Sequence, residues 1–185
     1  MMHIIKHKEE AVEKILDQQV VAIFQGHSEW GPRALGNRSL LFDPRNKDGK
    51  DIVNKVKNRE WYRPFAGSCL LEHATDWFEM GVIKESPHMT YAIPVKEDKK
   101  SLIPCITHVD GTCRIQTVTK EQNKNFYELI EEFYKRTEVP MLFNTSFNLA
   151  GEPLVETLDD ARSTIERSDL EYIYLPDLQS QSSGQ

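Results

Sequence analysis

The sequence predicts a single α/β or α+β domain, in which helices flank a sheet. Short apolar runs rich in β-branched residues alternate with longer segments whose apolar residues recur every three or four positions. A length of 185 residues suits one domain, and 39% hydrophobic with 28% charged residues is a globular balance. We expect the domain to cover residues 1–177. Residues 178–185, rich in Ser and Gln, are expected to form a disordered tail.

The first half of the chain alternates between helices and strands. Helices are predicted at residues 8–17, 50–58 and 75–80, and strands at residues 18–24, 39–42, 66–71 and 88–95. Residues 26–38 are predicted to form a loop, because Gly31-Pro32 and Gly36 interrupt regular structure. Pro64 forces an extended chain before the third strand.

The second half continues the alternation after a polar loop at residues 97–101. Helices are predicted at residues 121–136 and 157–167, and strands at residues 139–143 and 170–175. Thr119 with Gln122, and Thr157 with Asp160, have the spacing of capping boxes that start the two helices.

Composition excludes several classes of protein. No apolar stretch approaches the roughly 20 residues of a membrane-spanning helix. The start MMHIIKHKEE is charged within seven residues and lacks the apolar core of a secretion signal. Three cysteines without CxxC spacing fit reduced thiols. We therefore expect a cytoplasmic protein with no membrane contact.

The positive charge is concentrated in one stretch. The chain holds 29 acidic and 23 basic residues, a formal net charge of −6. Residues 33–63 contain nine basic and four acidic residues, a local +5, so the remainder carries −11. This contrast favours a local anion site, whereas a nucleic-acid surface would call for a basic domain. A solvated basic helix face is the alternative on charge alone.

The first candidate site is the segment GHSEWGPRALGNRS. It imitates a phosphate loop, but Asn37 replaces the required lysine and Ser39 falls one position late. What remains is a glycine-rich loop with Arg33, Arg38 and free backbone N–H groups, which suits a phosphate or carboxylate. The alternative is a tight loop whose arginines pair with a nearby acid such as Glu29.

The second candidate site is the segment KNREWYRPFA. Arg59 and Arg63 flank Trp61 and Tyr62 at the end of a predicted helix. Arginines beside aromatic rings can line an adenine or phosphate pocket, and Glu60 could orient one of them. Cations at a helix C-terminus are also favourable without any ligand.

The third candidate site is the segment THVDGTCRIQ. Asp110-Gly111 is a strong turn signal, and a plain hairpin would explain it. His108, Thr112 and Arg114 nevertheless make this turn densely polar. His108 could bind an anion, donate a proton or satisfy the backbone. No HxH, HxxxH or HExxH pair is present, so no metal site is expected here.

The fourth candidate site is the segment NTSFN, directly after the apolar strand at residues 139–143. Asn144, Thr145, Ser146 and Asn148 are small hydrogen-bonding side chains that can fix a polar ligand such as an amide. A helix cap or turn needs one or two such side chains rather than four. The pattern therefore favours a binding role.

Taken in order, four segments resemble the C-terminal domain of the NodU-type O-carbamoyltransferases: GHSEWGPRALGNRSLLFDPR, VKNREWYRPFAGSCL, THVDGTCRIQTV and VPMLFNTSFNLAGEPLVET. The resemblance runs from about residue 20 to 175, with Gly67 where the family more often has proline. It implies a YrdC-like fold, a twisted mixed sheet with flanking helices. It also implies an activity in which the domain binds ATP, with Mg²⁺, and carbamoyl phosphate. The product would be carbamoyl-adenylate, with phosphate and pyrophosphate released.

The resemblance implies roles for the candidate residues. Those expected to be catalytic are Arg59, Arg63, His108 and Arg114. Those expected to bind substrate or ATP are Arg33, Arg38, Ser39, Lys57, Asn144, Thr145, Ser146 and Asn148. The arginines would clamp phosphates where charge develops during adenylate formation. His108 and Arg114 would hold carbamoyl phosphate or the departing phosphate, and the NTSFN side chains would recognise the carbamoyl amide or the ribose.

The resemblance also implies a partner. In the family, a preceding ASKHA-like domain with a metal site passes the carbamoyl group to a hydroxyl, and this sequence contains no such domain. We therefore expect full transfer to need a separate acceptor-domain protein or a longer chain. The alternatives are a non-catalytic nucleotide- or RNA-binding YrdC-like module and a regulatory subunit. The acidic balance argues against RNA, so nucleic acid is not an expected partner.

Overall fold

The computed structural model describes residues 2–60 and 62–178. Trp61 and nearly all of the predicted tail lie outside the described residues. The strands are β1 His3–Ile5, β2 Val21–Phe24, β3 Arg38–Phe42, β4 Ala66–Leu70, β5 Ala92–Pro94, β6 Thr112–Val118, β7 Met141–Ser146 and β8 Tyr172–Tyr174. The α-helices are α1 Lys8–Leu16, α2 Gly49–Lys57, α3 Ala74–Trp77, α4 Lys124–Thr137 and α5 Leu158–Glu166.

All eight strands described belong to one mixed sheet, in the order β1-β8-β2-β3-β7-β4-β6-β5. Strand β8 is parallel to both β1 and β2. Strands β2, β3, β7 and β4 are antiparallel to one another in that order. Strand β6 is parallel to β4 and antiparallel to β5. The prediction of a mixed sheet with helices interleaved along the chain is confirmed.

Helices α1 and α4 pack side by side, and α4 also contacts β4 and β7. The buried side chains of α4 are Phe126, Leu129, Ile130 and Phe133, at helical spacing. Those of α1 are Ala11, Val12 and Ile15. Burial of these apolar faces against the sheet is the main source of their stability.

The start of α4 differs from the prediction. Thr119 and Gln122 do bond reciprocally, since the Thr119 N–H donates to Gln122 Oε1 over 3.2 Å and the Gln122 N–H donates to Thr119 Oγ1 over 3.3 Å. This pair closes a turn, and the helix begins only at Lys124. Asn123 is its cap, accepting the Phe126 N–H over 3.1 Å. The capping box of Thr157 and Asp160 at α5 is confirmed.

Several strand boundaries also differ. Strand β1 was not predicted, because three residues are too short for a periodicity signal. Strand β7 continues to Ser146, so three of the polar residues expected after a strand lie within it. Strand β5 covers only Ala92–Pro94 of the predicted residues 88–95. The turn at Asp110-Gly111 is confirmed, with φ +79° at Gly111, and it leads into β6.

Candidate functional site

Four arginines line one cavity of about 230 Å³, which we call the arginine cavity. They are Arg33, Arg59, Arg63 and Arg114. Two come from the segment after α2, one from the loop before β3 and one from β6. The remaining lining residues are Pro32, Ala34, Pro64, Phe65, Ala66, Met89, Asn144, Thr145 and Ser146. No carboxylate is present in this lining, so its formal charge is strongly positive.

Among the described residues, no carboxylate pairs with the two most enclosed guanidinium groups, those of Arg59 and Arg114. The Arg59 guanidinium lies 4.7 Å from the Phe65 ring centre and donates to the Pro64 carbonyl over 3.3 Å. Burial, followed by the charge of Arg63, lowers the pKa of Arg59. Burial and the charge of Arg33 lower the pKa of Arg114. Within the described residues, the Nε atoms of Arg59 and Arg114 are buried without a hydrogen-bond partner.

Arg63 is the exception, because it has an acidic neighbour. Its Nε lies 3.0 Å from Glu60 Oε2, but both side chains are about half exposed, so solvent weakens the pair. Cations that are partly desolvated and lack counter-ions raise the free energy of the empty site. An anion in the arginine cavity would offset that cost, so the lining is chemically suited to an anion.

A buried polar network supports one wall of the cavity. Asn144 on β7 is 1% exposed, and its Nδ2 donates to the Ala34 carbonyl and to Ser68 Oγ over 3.2 and 2.8 Å. Gln116 on β6 accepts from Ser68 Oγ and donates to the Leu35 carbonyl. These bonds tie the loop that carries Arg33 to the centre of the sheet.

Lys57 lies behind the cavity rather than in its lining. It is 2% exposed, and its Nζ donates to the Ser146 carbonyl, Ser146 Oγ and Asn148 Oδ1 over 2.5, 3.1 and 2.9 Å. Burial and the nearby charge of Arg59 lower the pKa of Lys57 to about 7. Lys57 therefore fixes the ends of α2 and β7 against each other, next to the arginines.

Arg38 and Ser39 stand apart from the arginine cavity. Arg38 is 3% exposed and stacks over the Phe24 ring at 3.6 Å. Its guanidinium donates to four backbone carbonyls, those of Gln25, Gly26, Asn37 and Glu156. Ser39 is fully buried and accepts the Gly36 N–H. This geometry favours a structural role for both, and their assignment to ATP binding stays an untested prediction.

His108 lies in a neighbouring groove. Its Nε2 donates to the Phe65 carbonyl over 2.9 Å, and its Nδ1 lies 3.3 Å from Thr112 Oγ1. The groove of about 570 Å³ shares Arg63 and Pro64 with the arginine cavity. His108 therefore supports the segment that carries Arg59 and Arg63 from outside the cavity.

Of the twelve residues predicted for the site, seven line the cavity: Arg33, Arg59, Arg63, Arg114, Asn144, Thr145 and Ser146. Lys57 and Asn148 contact that wall from behind. Sequence reasoning gave no role to the apolar lining residues Phe65 and Met89 or to the supporting residues Ser68 and Gln116. Phe65 and Gln116 do lie within the second and third candidate segments. Ser68 is a polar position inside the otherwise apolar strand β4, and that signal could have identified it. Strand β6 also contains Thr112, Arg114 and Thr117, so Gln116 does not stand out from its neighbours in the sequence.

Two features are absent from residues 2–60 and 62–178. No helix in this part of the chain is long and apolar enough to cross a bilayer. Across residues 2–60 and 62–178, no three His, Cys, Asp or Glu side chains are grouped so that they could hold a metal ion.

Comparison with known proteins gives a family match over most of the chain. Residues 12–181 match the family model described as "Carbamoyltransferase C-terminus". The chain is 50% identical over 163 residues to the nodulation protein NolNO of Sinorhizobium fredii, covering 87% of the chain and 24% of that protein. It is 41% identical over 142 residues to the 3'-hydroxymethylcephem-O-carbamoyltransferase of Streptomyces clavuligerus, covering 77% of the chain and 26% of that enzyme. The chain thus spans about a quarter of the length of these relatives.

Solved structures of low sequence identity have the same fold. Full-length HypF, in a phosphate- and nucleotide-bound form, superimposes with a TM-score of 0.66 at 18% identity, over 91% of the chain and 24% of HypF. Sua5 of P. abyssi, complexed with L-threonine, gives a TM-score of 0.64 at 14% identity, over 94% of the chain and 49% of Sua5. The expected YrdC-like fold is confirmed by these neighbours.

Proposed function

The chain belongs to the carbamoyltransferase C-terminal family, and from this premise we propose that it activates carbamoyl phosphate with ATP to form carbamoyl-adenylate. The observation that carries the proposal is the arginine cavity, in which four guanidinium groups converge and no carboxylate joins them. Carbamoyl phosphate and the triphosphate of ATP are both small, highly charged anions that guanidinium groups bind well.

The proposed reaction consumes one water. Water cleaves carbamoyl phosphate to carbamate and phosphate, and a carbamate oxygen then attacks the α-phosphorus of ATP. The bond from this phosphorus to the β-phosphate bridging oxygen breaks, and pyrophosphate leaves with its electron pair. Negative charge spreads over the oxygens around phosphorus during this step, so fixed cations nearby lower the barrier.

In this proposal, the enclosed and the exposed arginines of the cavity bind different oxygens of the substrates. Arg59 and Arg114 would bind the most enclosed oxygens, because their guanidinium groups are the most desolvated in the cavity. Arg33 and Arg63 are exposed at its mouth and would hold the outer phosphates. We infer that ATP enters with Mg²⁺ already on its phosphates, since the lining holds no carboxylate to supply a metal ligand.

Transfer of the carbamoyl group to an acceptor hydroxyl would require a further domain. The relatives are about four times as long as the matched region, and one is named for O-carbamoyl transfer. We propose that an acceptor domain, on the same or a separate chain, receives carbamoyl-adenylate from this one.

The test mixes protein, ATP, Mg²⁺ and carbamoyl phosphate and follows pyrophosphate release and carbamoyl-adenylate by mass spectrometry. Arg59→Ala and Arg114→Ala should each slow release by about 100-fold or more. Arg162→Ala is the matched control, because it removes an exposed arginine from α5, where the pair with Asp159 spans 3.4 Å. Wild-type protein that binds ATP without releasing pyrophosphate would support the non-catalytic nucleotide-binding module instead.

A further inference from the structure

The loop that carries Arg33 folds around a carboxylate of its own chain. Glu29 Oε1 accepts the N–H groups of Leu35 and Asn37, each over 2.8 Å. Glu29 Oε2 accepts the Arg38 N–H over 3.2 Å. Converging backbone N–H groups of this kind form an anion-binding concavity. Here the anion is Glu29, so these N–H groups are not available to a phosphate, contrary to what the glycine-rich sequence suggested.

The carbonyl groups of the same turn accept hydrogen bonds from side chains outside the loop. Those of Ala34, Leu35 and Gly36 accept from the side-chain amides of Asn144, Gln116 and Gln25, respectively. The loop between Glu29 and Arg38 is therefore held by two sets of hydrogen bonds. Its N–H groups donate to the Glu29 carboxylate, and its carbonyls accept from side-chain amides of the sheet and its edges. Removing the Glu29 carboxylate would break the bonds to the N–H groups and leave the bonds to the carbonyls in place.

Arg33 projects from this fastened loop without direct support. Within residues 2–60 and 62–178, no hydrogen bond or ion pair holds its guanidinium. Its charge acts on Arg114 across the arginine cavity, and like charges repel. In a loop without these bonds, the repulsion would let Arg33 move away from Arg114. The backbone between Glu29 and Arg38 must therefore resist that repulsion when the cavity is empty.

We propose that Glu29 is a positioning residue that holds Arg33 in place for anion binding. Glu29 does not line the arginine cavity; it lies in a separate groove of about 360 Å³ beside Trp30 and Glu156. It therefore acts through the loop backbone rather than on the ligand. The inference rests on the proposed function only in requiring that the arginine cavity binds phosphate-containing anions.

The experiment is a double-mutant cycle measured by calorimetry with pyrophosphate as the probe. Arg33→Ala should weaken binding by roughly tenfold or more, the value of one charge-assisted hydrogen bond. Glu29→Ala should weaken binding by a similar or smaller factor. In the Arg33→Ala background, Glu29→Ala should have almost no further effect on affinity, because Glu29 affects binding only by positioning the Arg33 guanidinium. Glu29→Gln, which keeps one carbonyl acceptor, should recover part of the affinity.

The outcomes separate this inference from the proposed function. If wild-type protein does not bind pyrophosphate, the proposed anion cavity is wrong. If wild type binds and Glu29→Ala weakens binding equally with and without Arg33, Glu29 acts by general loosening and the positioning role is refuted. Unchanged affinity in Glu29→Ala refutes it too. Glu156→Gln is the matched control, a carboxylate in the same groove, and should bind like wild type. Thermal melting identifies folded variants, and Glu29→Gln carries the test if Glu29→Ala does not fold.

Discussion

Gly36 of the Arg33 loop lies against Phe126 of helix α4, and replacing it with alanine should destabilise the protein. Its φ is +108°, a backbone conformation that side chains disfavour. A Cβ atom at this position would lie 2.3 Å from Cδ1 of Phe126. Phe126 is fully buried at the start of α4, so it has no free space into which to move.

Gly31 in the same loop separates the two contributions. Its φ is +106°, but nothing lies within 4 Å of a Cβ built there. Gly31→Ala should therefore cost only the backbone strain, about 1–3 kcal/mol. Gly36→Ala should cost that plus an overpacking penalty of about 1–3 kcal/mol. The effect of alanine on the unfolded chain is common to both variants and cancels in their difference.

Urea denaturation of both variants measures the difference in their free energies of unfolding, and thermal unfolding measures the corresponding difference in Tm. For a chain of this size, about 1 kcal/mol corresponds to about 2–4 °C in Tm. Gly36→Ala should therefore melt about 2–12 °C below Gly31→Ala. Equal stabilities would refute the reasoning, since they would mean that the loop is not packed on Phe126.

Three further predictions concern charge and thiols. Arg38→Met should lower the free energy of unfolding by at least about 3 kcal/mol, because four carbonyls lose their donor. Arg33→Met should change it by less than about 0.5 kcal/mol, and urea titration compares the two. Because the pKa of Lys57 is lowered to about 7, the folded protein gives up above pH 7 a proton that the unfolded chain keeps. Its stability should then rise from pH 7 to 9, by up to about 1.4 kcal/mol per pH unit more than in Lys57→Met. Burial raises the thiol pKa values, so an aromatic disulfide reagent at pH 8 should label the protein only after unfolding, at Cys69, Cys105 and Cys113.

Each of these has an outcome that contradicts it. Arg33→Met as destabilising as Arg38→Met would mean that the exposed arginine supports the fold. Parallel stability curves for wild type and Lys57→Met between pH 7 and 9 would mean that Lys57 stays charged in the folded protein. Rapid labelling of native protein would mean that at least one thiol is accessible.

Local patterns in the sequence were enough to predict the presence of the helices and of most strands. The apolar spacing in α4 and the capping box of α5 depend on neighbours within one or two turns, so the sequence contains the needed information. The predicted start of α4 was wrong because Thr119 and Asn123 both make cap-type hydrogen bonds, and the helix begins only after the second. The Thr119–Gln122 pair closes a separate turn, which the sequence pattern alone does not distinguish from the first turn of the helix.

The roles of the two loop arginines could not be predicted from sequence. Arg33 and Arg38 both follow glycines in a loop rich in polar residues, and both suited an anion site. Arg38 starts β3 opposite Phe24, which turns its side chain over that ring and toward backbone carbonyls. Arg33 precedes the fastened turn and faces the cavity. The difference arises from strand pairing, which links residues far apart in the chain.

The position of β8 has a consequence for the order of folding. Among the strands that the structure describes it is the last in sequence, yet it lies between β1 and β2, the first two. A nascent chain emerging from the ribosome therefore carries β2 with an unpaired edge until residues 172–174 arrive, and such edges promote aggregation. Just past β8, Asp177 accepts the N–H of Gly26 over 2.8 Å, at the start of the Arg33 loop. The loop therefore gains this contact only after β8 has been synthesised, so the anion affinity proposed for the cavity would develop only after that point.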